Sequence, residues 1–240
     1  MSIELTGVII AKNEAKDLPE TLQAWRPLCR ELILVDNYSS DATPDIALRH
    51  GAKVVEAGFG EEGYSGLRNS GLDEVITSHV LVFDADERPT VELQKEILEI
   101  RDRGSHRTVY SILRNNFVFG RALLHGRFYP DWQIRLFPSS VRYVGIVHER
   151  PKISEDIEIQ ELSGTINHYT YTSMREYLTK MKTYARLSAQ QGLPIPTWQD
   201  TYETMKKNGK HRSGYRDGWR GVLMVAGDAY HDHHMRKTLT

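Results

Sequence analysis

Ile33-Leu34-Val35-Asp36-Asn37-Tyr38-Ser39-Ser40-Asp41-Ala42-Thr43-Pro44 is the stretch that decides the fold. Three apolar residues of strand type run into a polar cluster. Thr43 is then placed to cap a helix with Pro44 at its first position, and Gly51 after His50 offers a left-handed stop. The order is strand, loop, helix, and it recurs on both sides. Val8-Ile9-Ile10 precedes Lys12-Asn13-Glu14, Val54-Val55 is a third short run, and Val80-Leu81-Val82-Phe83 precedes Asp84-Ala85-Asp86-Glu87. Apolar runs alternating with helical patterns predict βαβ units around a mostly parallel sheet. Three polar clusters then converge on one edge, at the carboxyl ends of the strands, where open α/β sheets bind ligands.

The 240 residues suit one catalytic-sized α/β unit with an appendage. With 31 Lys and Arg against 32 Asp and Glu the net charge is −1, which provides no global field for a polyanion. That neutrality is an average: the last 40 residues hold eight Lys and Arg against four Asp and Glu, +4, leaving the first 200 at −5. Cys29 is the only cysteine, so a disulfide framework and a multi-cysteine zinc site are excluded, and a reducing compartment is the expectation. Met1 to Leu5 is short and carries Glu4, unlike a secretory signal, and no run approaches the roughly 18 apolar residues of a membrane span. The expected location is cytoplasmic, with peripheral attachment at the inner membrane face left open.

Beyond Arg107 the pattern changes. Val109 to Ile112 and Gln133 to Phe137 read as strands, with an aromatic and basic loop from Asn115 to Asp131 between them. Ser173 with Glu176 three residues on forms a capping box, opening a helix whose stripe of Met174, Tyr177, Leu178, Met181, Tyr184, Ala185 and Ser188 is expected to be core; Gly192 to Pro196 breaks it.

Asp84-Ala85-Asp86 places two carboxylates at a strand end, as a hard cation that keeps waters and a phosphate would need. Alone, the triplet is equally an ordinary turn. Its companions supply the context: Asp36 can accept from a pyrimidine N–H or a ribose hydroxyl, and Arg68 can pair with a diphosphate or with Asp73. Ser39, Ser40 and Asp41 read better as loop and capping residues.

Ile9 to Glu14, Ile33 to Thr43, Arg68-Asn69 and Phe83 to Glu87 together resemble the nucleotide-binding half of a family 2 glycosyltransferase. The second half resembles its lipopolysaccharide-core glucosyltransferase-like branch through Phe128 to Phe137, Val147-His148-Glu149 and His168-Tyr169. The resemblance implies the GT-A fold, a Rossmann-like, mostly parallel sheet flanked by helices, as a catalytic domain over 1–172 with a C-terminal helical extension over 173–240. It implies a UDP-sugar donor, probed by Asn13, Glu14, Asp36, Arg68 and Asp84, with Mn2+ or Mg2+ on Asp86 and His148 as a further ligand. Transfer of a hexose such as glucose to a hydroxyl on a glycan or lipid-linked glycan would invert the anomeric carbon, with Asp131 as general base and Glu149 as its alternative. Structural ion pairs with Arg127, Arg135 or Arg150 are the plain reading of both carboxylates. Asp131 is expected to precede a helix, as the catalytic Asp of the family does. A homodimer is compatible with the reading.

Two features depart from the branch: Arg68 stands where Lys is common, and Asp228 and His231-Asp232-His233-His234 interrupt the expected apolar terminus. The histidines are read as a frayed, solvated end and assigned no metal. The basic segment 206–220, interleaved with Tyr215 and Trp219, is either a solvated terminus or a grip on an anionic acceptor. Gly58-Phe59-Gly60-Glu61-Glu62-Gly63 fits the G-x-G-x-x-G pattern of an NAD(P)-dependent oxidoreductase, but it follows the third strand and puts two glutamates where a pyrophosphate needs N–H groups. A non-catalytic nucleotide-sugar-binding protein is the remaining alternative.

Overall fold

The computed structural model describes residues 2–103, 108–145, 149–190 and 192–238. In chain order the elements are β1 (Leu5–Ala11), α1 (Leu18–Trp25), β2 (Glu31–Asp36), α2 (Thr43–Arg49), β3 (Lys53–Glu56), α3 (Gly63–Leu72), β4 (His79–Asp84), β5 (Glu87–Pro89) and α4 (Val91–Arg103). There follow β6 (Thr108–Val118), β7 (Arg121–Ala122), β8 (Trp132–Pro138), β9 (Tyr143–Val144), β10 (Arg150–Pro151), β11 (Glu158–Tyr171), α5 (Met174–Gln190), α6 (Trp198–Lys206) and α7 (Gly218–Thr238). The α/β sheet flanked by helices is the one the sequence predicts. Its order is β3-β2-β1-β4-β8-β6-β11-β5. The first four strands are parallel, and β8 pairs antiparallel with both β4 and β6, as β11 does with β5.

The chain divides into two compact units: Met1–Arg114 with Trp132–His168, and Asn115–Asp131 with Tyr169–Thr240. In the first, β1, β2 and β4 are buried on both faces, which is why they read as apolar runs; β3, at the sheet edge, is only half-buried. One face carries a core of Leu5, Ile9, Leu22, Trp25, Leu32, Leu34 and Phe83; the other carries Val8, Val80, Val82, Phe137 and Tyr143. α3 lies close to the sheet because Gly71 has no side chain. A Cβ there would stand 2.6 Å from Val8 Cγ1 and 2.7 Å from Val35 Cγ2.

The second unit has its own core of Val118, Leu123, Tyr171, Tyr177, Met181 and Met224. α5 begins as expected, with the Glu176 N–H donating to Ser173 Oγ at 3.2 Å. The Glu176 carboxylate, however, reaches back to the N–H and hydroxyl of Thr172.

Three local expectations are corrected. Ala42, not Thr43, is the cap of α2; Thr43 is its first residue because its hydroxyl is committed to Asp41 and to the Glu14 N–H. Asp131 precedes strand β8, not a helix, since Ile134 and Leu136 pair antiparallel with β6 and Phe137 with β4. The His231–His234 cluster lies inside α7 and is not frayed: buried Asp232 takes the Thr201 hydroxyl at 2.7 Å, and Asp228 takes the Asn208 amide at 2.8 Å. Polar side chains at helical spacing fasten this terminus where apolar ones were missing.

Candidate active site

The parallel strands place Asp36 and Asp84 at one sheet edge, separated by β1. Ala11 is in register with Asp36 and Ile10 with Asp84, so the two carboxylates leave strands roughly 10 Å apart. Asp36 is 2% exposed; its Oδ2 accepts the Ser39 N–H at 3.0 Å, and Oδ1 is buried with no partner among the described residues. Asn13 has φ 58° and braces the loop, its Oδ1 accepting from the Ser40 N–H at 2.7 Å. The Glu14 N–H donates to Thr43 Oγ1. Asp41 accepts the Thr43 N–H at the start of α2 and the Ala15 N–H of the loop after β1, so it ties the two loops together.

The Asp84–Glu87 turn is held from three sides. Glu87, fully buried, accepts the Asp84 N–H at 3.0 Å; Thr21 Oγ1 donates to the Ala85 carbonyl at 2.7 Å; and Trp25 Nε1 donates to the Glu87 carbonyl at 2.8 Å. Trp25 is itself fixed by stacking on Phe83, with ring centroids 4.6 Å apart. This frame aims Asp86. β11 pairs with β5 so that His168 is opposite Glu87, and His168 Nε2 lies 3.4 Å from Asp86 Oδ1.

Behind the turn is a cluster of three guanidinium and three carboxylate groups. Arg68 Nη2 donates to Asp84 Oδ1 at 2.8 Å and Arg68 Nε to Glu149 Oε1 at 2.8 Å. Arg135 Nη2 donates to Asp84 Oδ2 at 3.0 Å and to Glu87 Oε1 at 2.5 Å, and Arg114 donates to the same Glu87 oxygen at 3.0 Å. Against the desolvation of burial, Arg68, Arg135 and Arg114 hold the Asp84 carboxyl well below the usual carboxylate range. Glu87 and Asp84 likewise outweigh burial and raise the Arg135 guanidinium. Among the described residues, Arg68 Nη1, Arg135 Nε and the Tyr143 hydroxyl are buried with no hydrogen-bond partner. Tyr143 is pushed up by burial, and the Arg68 guanidinium lies 5.3 Å from the centre of its ring.

The sequence-predicted residues therefore divide. Asp36, Arg68, Asp84, Asp86 and Glu149 belong to the first unit, with Asp84 and Glu149 both on Arg68. Asp73, the other candidate partner of Arg68, pairs with Arg142 instead. Asp131 belongs to the second unit, where its Oδ2 accepts from Asn116 Nδ2 at 2.9 Å. His148 lies outside the described residues. Glu87, Arg114 and Arg135 were missed as a set; a Glu and two Arg in strand-patterned segments are the only local signal. Among the described residues no group of three or more His, Cys, Asp or Glu converges as a metal cage. The G-x-G-x-x-G segment follows β3, which is an edge strand, and not the central β1.

With this geometry, residues 6–177 match the profile of glycosyl transferase family 2. The chain belongs to glycosyl transferase family 2. Among curated members, an uncharacterized glycosyltransferase of Rickettsia typhi is 27% identical over 193 residues, covering 76% of this chain and 65% of the relative. One from Mycobacterium bovis is 35% identical over 102 residues, covering 42% and 45%. The chain thus spans about two thirds or less of the length of these relatives. Among solved structures, residues 1–349 of S. aureus TarS in complex with UDP align over 98% of this chain and 90% of that one, with TM-score 0.50 and 13% identity, a likeness of fold. In this family the fold is GT-A.

Proposed function

We propose that the protein transfers a sugar from a UDP-sugar to a hydroxyl acceptor, binding the donor at the edge formed by β1, β2 and β4. One observation carries this reading: two buried groups with no partner among the described residues, the acceptor Asp36 Oδ1 and the cationic donor Arg68 Nη1, belong to the same edge as the Asp84–Asp86 turn. Unsatisfied buried groups of this kind are costly and rare. A uridine N–H or ribose hydroxyl satisfies the first, and a diphosphate oxygen the second. TarS, solved with UDP and with UDP-GlcNAc, supports the choice of nucleotide.

Asp84 has both oxygens engaged by arginines, which suits it to aiming Arg68 more than to contacting ribose or a metal-bound water. Asp86 with His168 offers a carboxylate and an imidazole, a donor set that fits Mn2+ or Mg2+ completed by waters and substrate phosphate. When bound, such an ion neutralises the charge that grows on the departing diphosphate. Asn13 and Glu14 shape the nucleoside end of the edge.

The displacement is single and inverting. The acceptor oxygen bonds to the anomeric carbon, the bond from that carbon to the UDP oxygen breaks, and the acceptor proton passes to a carboxylate. Asp131 is that base; Glu149 is occupied by Arg68 and serves as counter-ion. The resemblance of Phe128 to Phe137 and of His168-Tyr169 to the lipopolysaccharide-core branch favours a hexose such as glucose and a glycan or lipid-linked glycan acceptor. Residues 1–172 are read as the catalytic domain and 173–240 as its helical extension.

The test is a panel of UDP-hexoses and NADH incubated with the full chain and Mn2+, scored for release of UDP and for thermal stabilisation. Stabilisation and hydrolysis by one UDP-hexose are expected. Stabilisation by NADH alone would contradict the reading, and binding without turnover in the presence of glycan acceptors would favour a non-catalytic binder.

A further inference from the structure

We propose that one corner of the second unit docks on the surface of a bilayer containing anionic phospholipid. The inference does not rest on the glycosyltransferase reading. Four apolar or aromatic side chains stand unusually exposed there: Leu124 51%, Tyr215 60%, Trp219 58% and Val222 55%. Isolated surface apolar residues are ordinary, but these are gathered. The Leu124 and His125 N–H groups donate to the Asp217 carboxylate at 3.1 and 2.9 Å, between Tyr215 and Trp219 in the chain. Arg220 donates to the Val118 and Phe119 carbonyls at 3.1 and 3.0 Å, and Trp219 stacks on Phe119 with planes 9° apart. Trp219 and Val222, three residues apart on α7, share one face. The rings are therefore held out on a braced frame.

Charge selects the occupant. Residues 206–220 hold six Lys and Arg against one acid, Asp217, which is spent on Leu124 and His125. Lys207, Lys210, Arg212 and Arg216 are exposed, and none has an ion pair among the described residues. Trp and Tyr rings beside aliphatic side chains and a cationic rim match the interfacial zone of a membrane, where ring bodies enter the headgroup layer and cations meet lipid phosphate. A nucleic acid or a soluble glycan phosphate would use the cations and rings but leave Leu124 and Val222 in water. No helix of the described residues is long and apolar enough to cross a membrane.

The experiment is co-sedimentation of the full chain with vesicles of phosphatidylcholine alone or of phosphatidylcholine with an equal part of phosphatidylglycerol. Binding to the anionic vesicles is expected, falling as salt rises. The pair Arg212→Glu, Arg216→Glu should weaken it by about tenfold or more, and the milder Arg212→Gln, Arg216→Gln pair should weaken it in the same direction. Trp219→Ala with Val222→Ala should weaken it with all charges kept. Far-UV circular dichroism and melting of each variant show that the fold is retained. Failure of the wild-type chain to sediment with anionic vesicles, wild-type binding by the folded charge variants, or tighter binding to single-stranded nucleic acid than to vesicles at equal salt would overturn the proposal.

Discussion

Glu87 Oε2 accepts the backbone N–H of Asp84 at 3.0 Å, while Glu87 Oε1 holds Arg114 and Arg135. One fully buried carboxylate thus closes the turn that presents Asp86 and anchors the cations that surround Asp84. It touches neither nucleotide nor acceptor in the proposed reaction and is a positioning residue. Glu87→Gln leaves buried guanidinium charge uncompensated, and urea unfolding should show a loss of about 3–5 kcal/mol. If the variant folds in cold buffer, the metal-dependent gain in UDP affinity should shrink while metal-free UDP binding holds.

Asp84 gives a pH prediction. Its carboxyl is held below the usual range in the folded chain, against the desolvation of burial, by Arg68, Arg135 and Arg114. A depressed carboxyl stabilises the fold fully above its unfolded value of about 4, and the contribution is lost as pH falls toward the folded value. Asp84→Asn should therefore be less stable at neutral pH yet lose less stability than wild type below about pH 4, as read by denaturant midpoints across that window.

Asp36 tests the nucleoside end. Asp36→Ala removes Oδ1, which has no partner among the described residues, together with the cap on the Ser39 N–H. A charged hydrogen bond of about 1.5–3 kcal/mol predicts a 10- to 100-fold loss of UDP affinity by calorimetry. An unchanged affinity would remove Asp36 from the site.

Cys29 should be silent. Burial pushes its thiol up to about 12, against the nearby Arg26 and Arg101 charges, so almost no thiolate exists at pH 8. Native protein should resist a disulfide reagent at that pH and react with one thiol on unfolding.

The parallel half of the fold was legible because β1, β2 and β4 are buried apolar runs that each end in a polar loop, so position along the chain also gave position at the sheet edge. Asp36, Asp84 and Asp86 follow from that alone. Arg114 and Arg135 do not. They reach Asp84 and Glu87 only because β8 pairs antiparallel with β4 and β6, a long-range register that local periodicity does not encode. The pairing of Asp86 with His168 has the same origin, 82 residues apart and joined by β5 and β11. The terminal helix was obscured for another reason: Thr201, Asn208, Asp228 and Asp232 satisfy one another at buried positions where an amphipathic pattern would show apolar residues.

The most direct test of the donor-site account is calorimetric titration of UDP into the full chain, with Mn2+ and with a chelator in its place, for wild type and Asp86→Ala. Wild type should bind UDP more tightly with Mn2+, and Asp86→Ala should lose that gain while keeping the weaker metal-free binding that Asp36 and Arg68 supply. The same Mn2+-dependent gain in Asp86→Ala would contradict the account.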